Sequence, residues 1–298
     1  MTSELLAPFR LGPRFSERIW GKPDLKPWYD STGTSELVGE AWLTGPDCPV
    51  ETGTELGKSL KDLYPEFPLL VKMLFPNDKL SVQVHPDDEQ AQALGLARGK
   101  TECWYVLEAE PGSTVACGLK EGVTPEQVRT AALDGSMESL MEMVPVSVGD
   151  MVFVDAGTVH AIGPGLVLLE VQQTCDVTYR MFDYGRPREL HLEKGLAVMR
   201  TKTAAGKVAP REMDGFVRLI EQKYFVVDRF DIEGEELVSM TGPGCLVALS
   251  GEGVVIVPGE EEEVELTAGK AVVVPEGWDT VVVESLKGMS FVRCVAPV

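Results

Sequence analysis

Two stretches of this chain repeat the same order of strands and turn glycines, and this repeat limits the folds that the chain can adopt. Residues 148–157 match residues 268–277 at an offset of 120, and residues 105–108 resemble residues 247–250 at an offset of 142. The difference of 22 residues between the two offsets is about the length of the segment 124–144, whose residues have helical spacing. The pattern therefore predicts one β unit present twice, with a helical insertion in the first copy.

Many short strands joined by glycine turns are typical of jelly-roll barrels, whose inward side chains can line a cavity. We therefore predict an all-β-dominated fold of two jelly-roll barrels, with a few helices inserted in the N-terminal half. The first domain is expected over residues 1–200 and a degenerate second copy over residues 215–298. Because Thr280 replaces His160 in the second copy, which contains no histidine, metal ligands are expected only in the first.

The composition excludes several classes of protein. The chain has 298 residues, of which 44% are apolar and 25% charged, a globular composition. Its formal net charge of −20 argues against partners such as nucleic acid or anionic membranes. No apolar run reaches the roughly 20 residues of a membrane-spanning helix, and the N-terminus lacks the pattern of a secretory signal. We expect a soluble, cytoplasmic protein that is a monomer or a weak homodimer.

Short helices are predicted at two further places in the N-terminal half. Residues 55–64 carry leucines at helical spacing, and residues 87–94 begin with acidic side chains and end just before Gly95. The six cysteines have no paired spacing, which argues against both a disulfide framework and a structural zinc site.

The segment Leu80–His85 has the alternation of a β-strand. Side chains two residues apart on a strand point to the same side, so Gln83 and His85 share a face. An ordinary half-exposed edge strand would show the same alternation. Only three histidines occur in the chain, however, at positions 85, 160 and 191, which makes a polar pair of this kind informative.

Four side chains form a candidate metal-binding set: Gln83, His85, Glu102 and His160. Two imidazoles, a carboxylate and an amide oxygen suit zinc or a similar divalent ion, with a position left for water or substrate. Each residue also has an ordinary interpretation, since His160 follows a glycine turn and Glu102 stands near Lys100. The same donors serve the iron of non-haem oxygenases, so the ligands alone leave the reaction open.

The sequence around these residues resembles type I mannose-6-phosphate isomerase in its short bacterial form, a member of the cupin superfamily. The resemblance covers roughly residues 9–190 and is carried by the segments Gln83–Pro86, Lys100–Tyr105, Gly157–Ile162 and Asp176–Arg180. It implies a cupin fold and the interconversion of mannose 6-phosphate and fructose 6-phosphate. It also implies one zinc ion per chain, bound by Gln83, His85, Glu102 and His160. Cys103 departs from the larger apolar residue expected at its position.

An isomerase of this kind moves a carbonyl between C1 and C2 through a cis-enediol, so a base must carry a proton between the two carbons. The sequence leaves the base open among Glu170, Lys100, Asp176 and a water molecule on the metal. Positive charge for the enediolate or the phosphate is expected from Arg180 and Lys100.

The remaining basic residues near this segment have other assignments. Arg186 and Arg188 are alternative phosphate ligands, whereas His191, at the start of an amphipathic segment, is interpreted as structural. Two other functions fit a cupin with these ligands: a non-catalytic sugar-phosphate-binding module and an iron-dependent oxygenase.

Overall fold

Short strands make up most of the described fold, and the three longest strands lie in the last third of the chain. The computed structural model describes residues 5–259 and 262–297. Up to residue 182 the strands are β1 (Phe9–Leu11), β2 (Arg14–Lys22), β3 (Val38–Trp42), β4 (Leu69–Leu74), β5 (Val82–Val84), β6 (Glu102–Ala109), β7 (Thr114–Leu119), β8 (Met141–Pro145), β9 (Met151–Val154), β10 (His160–Ile162), β11 (Leu166–Gln173) and β12 (Tyr179–Phe182). The later strands are β13 (Gly206–Val208), β14 (Arg211–Glu212), β15 (Val217–Glu221), β16 (Val226–Ser239), β17 (Gly244–Ile256), β18 (Glu263–Thr267), β19 (Ala271–Val274) and β20 (Thr280–Val295).

Four α-helices occur in the described residues, all in the first two thirds of the chain. They are α1 (Leu60–Leu63), α2 (Asp88–Ala93), α3 (Pro125–Asp134) and α4 (Leu192–Val198), and a 3₁₀ turn spans Met137–Leu140. None of these helices is long and apolar enough to cross a membrane. The prediction of an all-β-dominated fold with a few helices in the N-terminal half is confirmed.

Two antiparallel sheets form the N-terminal part of the molecule. One has the order β13-β9-β6-β11-β4-β3-β2 and the other has the order β12-β5-β10-β7-β8. Apolar side chains from both sheets pack into one core, in which Trp104 and Leu168 of the first sheet meet Val115 and Ile162 of the second. The arrangement is consistent with the cupin-type barrel that the resemblance implies.

Seven strands from the last third of the chain and the N-terminal strand β1 form an eight-stranded sheet. Its order is β1-β19-β17-β20-β16-β15-β14, with β18 paired to β17. Seventeen buried residues fill its own core, including the stacked rings of Phe230 and Phe291. A separate core joins this sheet to the outer face of the first sheet, where Cys103 and Tyr105 lie in one cluster with Val247 and Cys294. The two halves are therefore packed through apolar side chains.

The internal repeat has a structural counterpart. Strand β9 and strand β19 begin 120 residues apart, at Met151 and Ala271, and β6 and β17 begin 142 residues apart, at Glu102 and Gly244. The turn glycines also correspond, since Gly157 and Gly277 both have positive φ, 87° and 102°. Glycine adopts that conformation without the strain of a Cβ atom, which explains why both copies keep it.

The predicted helix over residues 124–144 is correct only in its first half. Thr124 caps α3 through a capping box with Gln127, as expected. Gly135 then stops the helix in the left-handed conformation, with φ of 87°. The prediction is wrong over Met141–Val144, which belongs to β8 and pairs with β7. Pairing to a neighbouring strand outweighs the local helical spacing.

The predicted helix over residues 55–64 is shorter than expected. Only Leu60–Leu63 is helical, because Gly57 has a φ of 89° and the amide of Val50 pairs with the carbonyl of Lys58. The other short helix agrees better with its prediction, since α2 begins at Asp88 and Asp87 caps it.

Strand pairing crosses the expected domain boundary in both directions. The N-terminal strand β1 pairs with β19 of the C-terminal sheet, Phe9 with Val273 and Leu11 with Ala271. Strand β13, just beyond residue 200, pairs with β9 of the first barrel. Each half therefore includes a strand from outside its expected range.

Leu11→Ala tests whether β1 is an integral part of the C-terminal half. Leu11 is 1% exposed within the shared core, so its truncation should lower the free energy of unfolding by about 2–5 kcal/mol. Urea unfolding measures the loss. The control is Leu286→Ala, which shortens a leucine that is 82% exposed and should change stability by no more than about 0.5 kcal/mol. Equal stabilities for the two variants would show that β1 is dispensable.

Candidate metal centre and active-site cavity

The four predicted metal-binding residues lie on or directly beside three strands of the first barrel. His160, the first residue of β10, is paired in register with Gln83 of β5. His85 directly follows β5, and Glu102 begins β6 on the other sheet. Three of them, His85, Glu102 and His160, bring one ligand atom each within 4.8 Å of one another. All three are buried.

Each imidazole is held by its Nδ1 atom. His85 Nδ1 lies 2.8 Å from the carbonyl oxygen of Val177, and His160 Nδ1 lies 2.9 Å from the carbonyl oxygen of Thr158. A carbonyl accepts but does not donate, so both Nδ1 atoms carry a proton and both Nε2 atoms present a lone pair. The Nε2 atoms face Glu102, at 3.6 Å from Oε2 for His85 and 3.4 Å from Oε1 for His160. A backbone carbonyl that fixes the tautomer in this way is usual for metal-binding histidines.

The surroundings keep both imidazoles neutral. Burial and the positive charge of Lys100 hold the pKa of His85 well below its usual value. Burial lowers the pKa of His160 to about 4, although the hydrogen bond to Thr158 acts in the opposite direction. Neutral imidazole is the form that binds a metal ion.

The carboxylate of Glu102 is fully buried. Lys100 Nζ lies 2.9 Å from its Oε2, whereas Oε1 has no hydrogen-bond partner within the described residues. A buried carboxylate whose oxygens are only partly paired is costly unless a further cation compensates for it. Two neutral imidazoles and this carboxylate therefore fit a divalent metal ion.

Gln83 is the fourth candidate ligand. Its Nε2 atom lies 3.3 Å from His160 Nε2. A half-turn of the amide would exchange its nitrogen and oxygen, and the oxygen would then face the same space. Gln83 therefore fits the metal-binding set by position.

A cavity of about 440 Å³ opens next to these residues, and Gln83 and Lys100 line it. Its wall contains cationic and anionic side chains in nearly equal number. They are Arg18, Lys72, Lys100, Arg180 and Arg188, and Glu17, Glu40, Glu170 and Asp176.

Most of the cations in the cavity wall are neutralised by a carboxylate. Arg18 pairs with Glu40 at 2.9 Å, and Arg188 pairs with Asp183 at 2.6 Å. Lys72 and Lys100 are likewise paired. Arg180 is different, since it has no carboxylate partner among the described residues.

Arg180 is held by the backbone alone. Its Nη1 donates to the carbonyl oxygen of Glu189 at 2.8 Å, and its buried Nε has no partner in the described part of the chain. Burial and the nearby charge of Arg188 lower its pKa. Both effects would be relieved by an anion. Asp176 also lines the cavity, although it precedes β12 and is not part of that strand.

Glu170 lies on β11, is buried and lines the same cavity. Burial and the carboxylate of Glu102 raise its pKa above the usual value for a glutamate. Carboxyl groups with a raised pKa in a cavity are typical of acid–base catalysts. Lys100 remains charged in the same surroundings. Burial alone would lower its pKa, but the carboxylates of Glu102, Glu170 and Asp176 outweigh burial and raise that pKa.

The sequence reasoning missed Lys72 as a member of this site. Lys72 is 3% exposed, and its Nζ lies 3.1 Å from Asp176, 3.5 Å from Glu170 and 4.5 Å from the centre of the Trp42 ring. Burial acts against its charge, but Glu170, Glu40 and Asp176 raise its pKa. A single lysine within the apolar run Leu69–Phe75 was the available signal, because a buried lysine requires a partner.

Three other residues lie outside the cavity. Arg186 is paired with Asp183 and Asp78 and does not line it. His191 stands at the start of α4, where its Nδ1 accepts a hydrogen bond from the amide of Arg180. Cys103 is buried in the core between the two halves and belongs to neither the metal-binding set nor the cavity wall.

Comparison with known proteins places the chain among isomerases. Residues 46–116 match the family model of the catalytic domain of type I phosphomannose isomerase. The chain is 35% identical over 272 residues to a mannose-6-phosphate isomerase of Streptococcus mutans, with 83% of this chain and 86% of that protein covered. It is 34% identical to mannose-6-phosphate isomerase ManA of Bacillus subtilis, with 85% and 88% covered.

A solved structure agrees with these relationships. The mannose 6-phosphate isomerase from Bacillus subtilis superposes on this chain with a TM-score of 0.84 and 28% identity, over 97% of this chain and 99% of that one. Because the identity to these relatives extends over most of both proteins, the chain belongs to the mannose-6-phosphate isomerase family and is an isomerase.

Proposed function

We propose that this protein is a zinc-dependent aldose–ketose isomerase that interconverts mannose 6-phosphate and fructose 6-phosphate through a cis-enediol. One observation carries the proposal: a buried His85–Glu102–His160 cluster borders a cavity that contains a buried carboxyl group, Glu170, and a cation without a carboxylate partner, Arg180. The names of the relatives supply the substrate.

His85, Glu102, His160 and Gln83 would bind one zinc ion per chain. Zinc, when bound, supplies positive charge that polarises the oxygens of the reacting carbons. Imidazole nitrogens and a carboxylate oxygen suit zinc, and the resemblance to type I mannose-6-phosphate isomerase implies that metal. The same donors can bind iron, so the choice of metal requires a measurement.

The proton transfer is assigned to Glu170. The pKa of an effective base lies near the working pH, and both burial and the charge of Glu102 move the pKa of Glu170 in that direction. The charges of Lys100 and of Lys72, which lies 3.5 Å away, limit that rise. Lys100 is less suited to accept a proton, because its pKa is raised and it stays charged. Its role in the proposal is to stabilise negative charge beside Glu102.

Arg180 would stabilise the enediolate or hold the phosphate. Its lack of a carboxylate partner within the described residues leaves its charge available for an anionic substrate. The net charge of the chain is −20, so its overall electric field repels anions. A phosphorylated sugar therefore needs a cation inside the cavity to bind.

The first prediction concerns the reaction itself. Protein stripped of metal should not convert mannose 6-phosphate, and activity should return when zinc is added. A coupled assay that detects fructose 6-phosphate measures this. Zinc-loaded protein that binds the sugar phosphate without turnover would instead support a binding module. Restoration by iron alone, with oxygen consumption, would support an oxygenase.

The second prediction concerns the metal ligands. His85→Ala and His160→Ala should each lose bound metal and activity together, since a four-ligand site rarely retains an ion after losing an imidazole. Elemental analysis of zinc-loaded, dialysed protein measures the metal. The matched control is His191→Ala, which removes the third histidine of the chain and should keep one zinc ion. Stoichiometric zinc in either ligand variant would exclude that residue from the site.

The third prediction concerns Arg180. Arg180→Ala should lower kcat about 100-fold or more while zinc stays bound, as is common when a charge-stabilising donor is removed. Arg180→Lys should restore only part of the rate, because ammonium lacks the planar fork of guanidinium. Steady-state kinetics with zinc analysis tests both variants.

Arg211→Ala is the control for the Arg180 variants. It removes a half-exposed surface arginine that pairs with Glu221 and should leave kcat and KM unchanged. A rise in the KM of Arg180→Ala at constant kcat would assign Arg180 to ground-state binding of the phosphate. Wild-type kinetics would remove it from the active site.

A further inference from the structure

Asp88, at the start of α2, accepts hydrogen bonds from three different parts of the chain. Its Oδ1 accepts from the amide of Gly99 and from Nε2 of Gln173, both at 2.9 Å. Its Oδ2 accepts from the hydroxyl of Tyr224 at 2.6 Å. Burial acts to raise the pKa of Asp88, but these donors outweigh it and hold that pKa below its usual value.

These hydrogen bonds are not required for capping α2. Asp87 is the capping residue, and its side chain accepts from the amide of Gln90 while the side chain of Gln90 returns a bond to the amide of Asp87. The carboxylate of Asp88 is therefore free to connect α2 to other segments. The set Asp88, Gln173 and Tyr224 is called the bracket below.

Asp88 of the bracket and its hydrogen-bond partner Gly99 lie close to the metal-binding residues in the sequence. Asp88 follows His85 by three residues, and Gly99 precedes Glu102 by three residues. Gln173 also binds Thr101, the residue before Glu102. Its side-chain Oε1 accepts from the backbone amide of Thr101 at 3.0 Å, and its backbone amide donates to the carbonyl of Thr101 at 3.2 Å. The bracket therefore fixes the segment between Gly99 and Glu102, which includes Lys100.

Gly99 lies so close to the start of α2 that no residue with a side chain fits at its position. A Cβ atom at position 99 would lie 2.4 Å from the carbonyl carbon of Asp87 and 2.6 Å from the amide nitrogen of Asp88. The amide of Lys100 also donates to the carbonyl of Pro86 at 3.0 Å. The segments that follow His85 and precede Glu102 are thus in backbone contact, and Asp88 joins them.

Tyr224 comes from the C-terminal half of the molecule, in the turn between β15 and β16. Its hydroxyl reaches Asp88 across 136 residues of sequence. The residue that follows, Phe225, is fully buried in the core that joins the two halves, which fixes the position of the tyrosine.

We infer that the C-terminal half acts on the metal centre through Tyr224, which orients Asp88 and thereby positions the Lys100–Glu102 segment against His85. Tyr224, Asp88 and Gln173 are positioning residues, since none of them belongs to the metal-binding cluster or the cavity wall. The inference rests on the proposed metal centre, but its test is read from metal affinity and does not require turnover.

The experiment measures the zinc affinity of Tyr224→Phe, Asp88→Ala and the double variant in the full-length protein. Competition with a chromophoric chelator gives the dissociation constant, and the visible absorption of cobalt-substituted protein reports the geometry of the site. Loss of partners that orient metal ligands typically weakens metal affinity about 10- to 100-fold. We expect about 10-fold or more for Asp88→Ala, a smaller loss for Tyr224→Phe, and an altered cobalt spectrum in both.

The matched control is Tyr29→Phe. The hydroxyl of Tyr29 also links the two halves, because it donates to the carbonyl of Gly269 at 2.7 Å, and in the described residues it forms no hydrogen bond with the metal-binding residues or the bracket. Its loss should lower stability without changing zinc affinity or the cobalt spectrum. This variant separates general destabilisation from displacement of the metal ligands.

The double variant tests the route of the effect. If Tyr224 acts through Asp88, adding Tyr224→Phe to Asp88→Ala should cause no further loss of zinc affinity. Wild-type affinity and spectrum in Tyr224→Phe, or losses that add independently, would overturn the inference. If Tyr224→Phe proves insoluble, Asp88→Asn, which keeps the size of the side chain, decides the question on the same measurements.

The outcomes separate this inference from the proposed function. Wild-type protein that binds zinc but does not isomerise mannose 6-phosphate would refute the function and leave the test of the bracket intact. Wild-type protein that binds no zinc would refute both. Active, zinc-binding wild type with unaffected bracket variants would refute the inference alone.

Discussion

The buried carboxylate of Glu102 is the constraint on which the first barrel depends. It is fully enclosed, its Oε1 has no hydrogen-bond partner among the described residues, and a single charge in such surroundings is costly unless cations compensate for it. Lys100 supplies part of the compensation at 2.9 Å, and the neutral imidazoles of His85 and His160 complete a set that suits a metal ion. The burial of Glu102, His85 and His160 therefore prepares these side chains to bind a metal ion.

Much of this arrangement could be predicted from the sequence, because the relevant signals are local. Glycines at the repeated turns indicate the strands, and alternation on β5 places Gln83 and His85 on one face. Lys72 was missed because its role depends on Glu170 and Asp176, which reach it from other parts of the chain. The strand at Met141–Pro145 was missed for the same reason, since its pairing with β7 is not visible in its own residues.

The C-terminal copy illustrates how a repeat can change its role. It keeps the turn glycines of the first copy but has Thr280 at the position of His160. Its surface against the first barrel is apolar and includes Cys294 and Val292, with Tyr224 as a polar contact at the edge. Within the described residues the His85–Glu102–His160 cluster lies in the first copy, and the C-terminal copy packs against that copy.

The position of β1 has a consequence for synthesis of the chain. Phe9–Leu11 is synthesised well before its partner in the sheet, Ala271–Val273, because the two segments are far apart in the sequence. An unpaired apolar strand can associate with other chains while it waits, and contacts between distant residues slow folding. Completion of the C-terminal sheet therefore has to wait for the synthesis of β19, and β1 stays unpaired in the nascent chain until then.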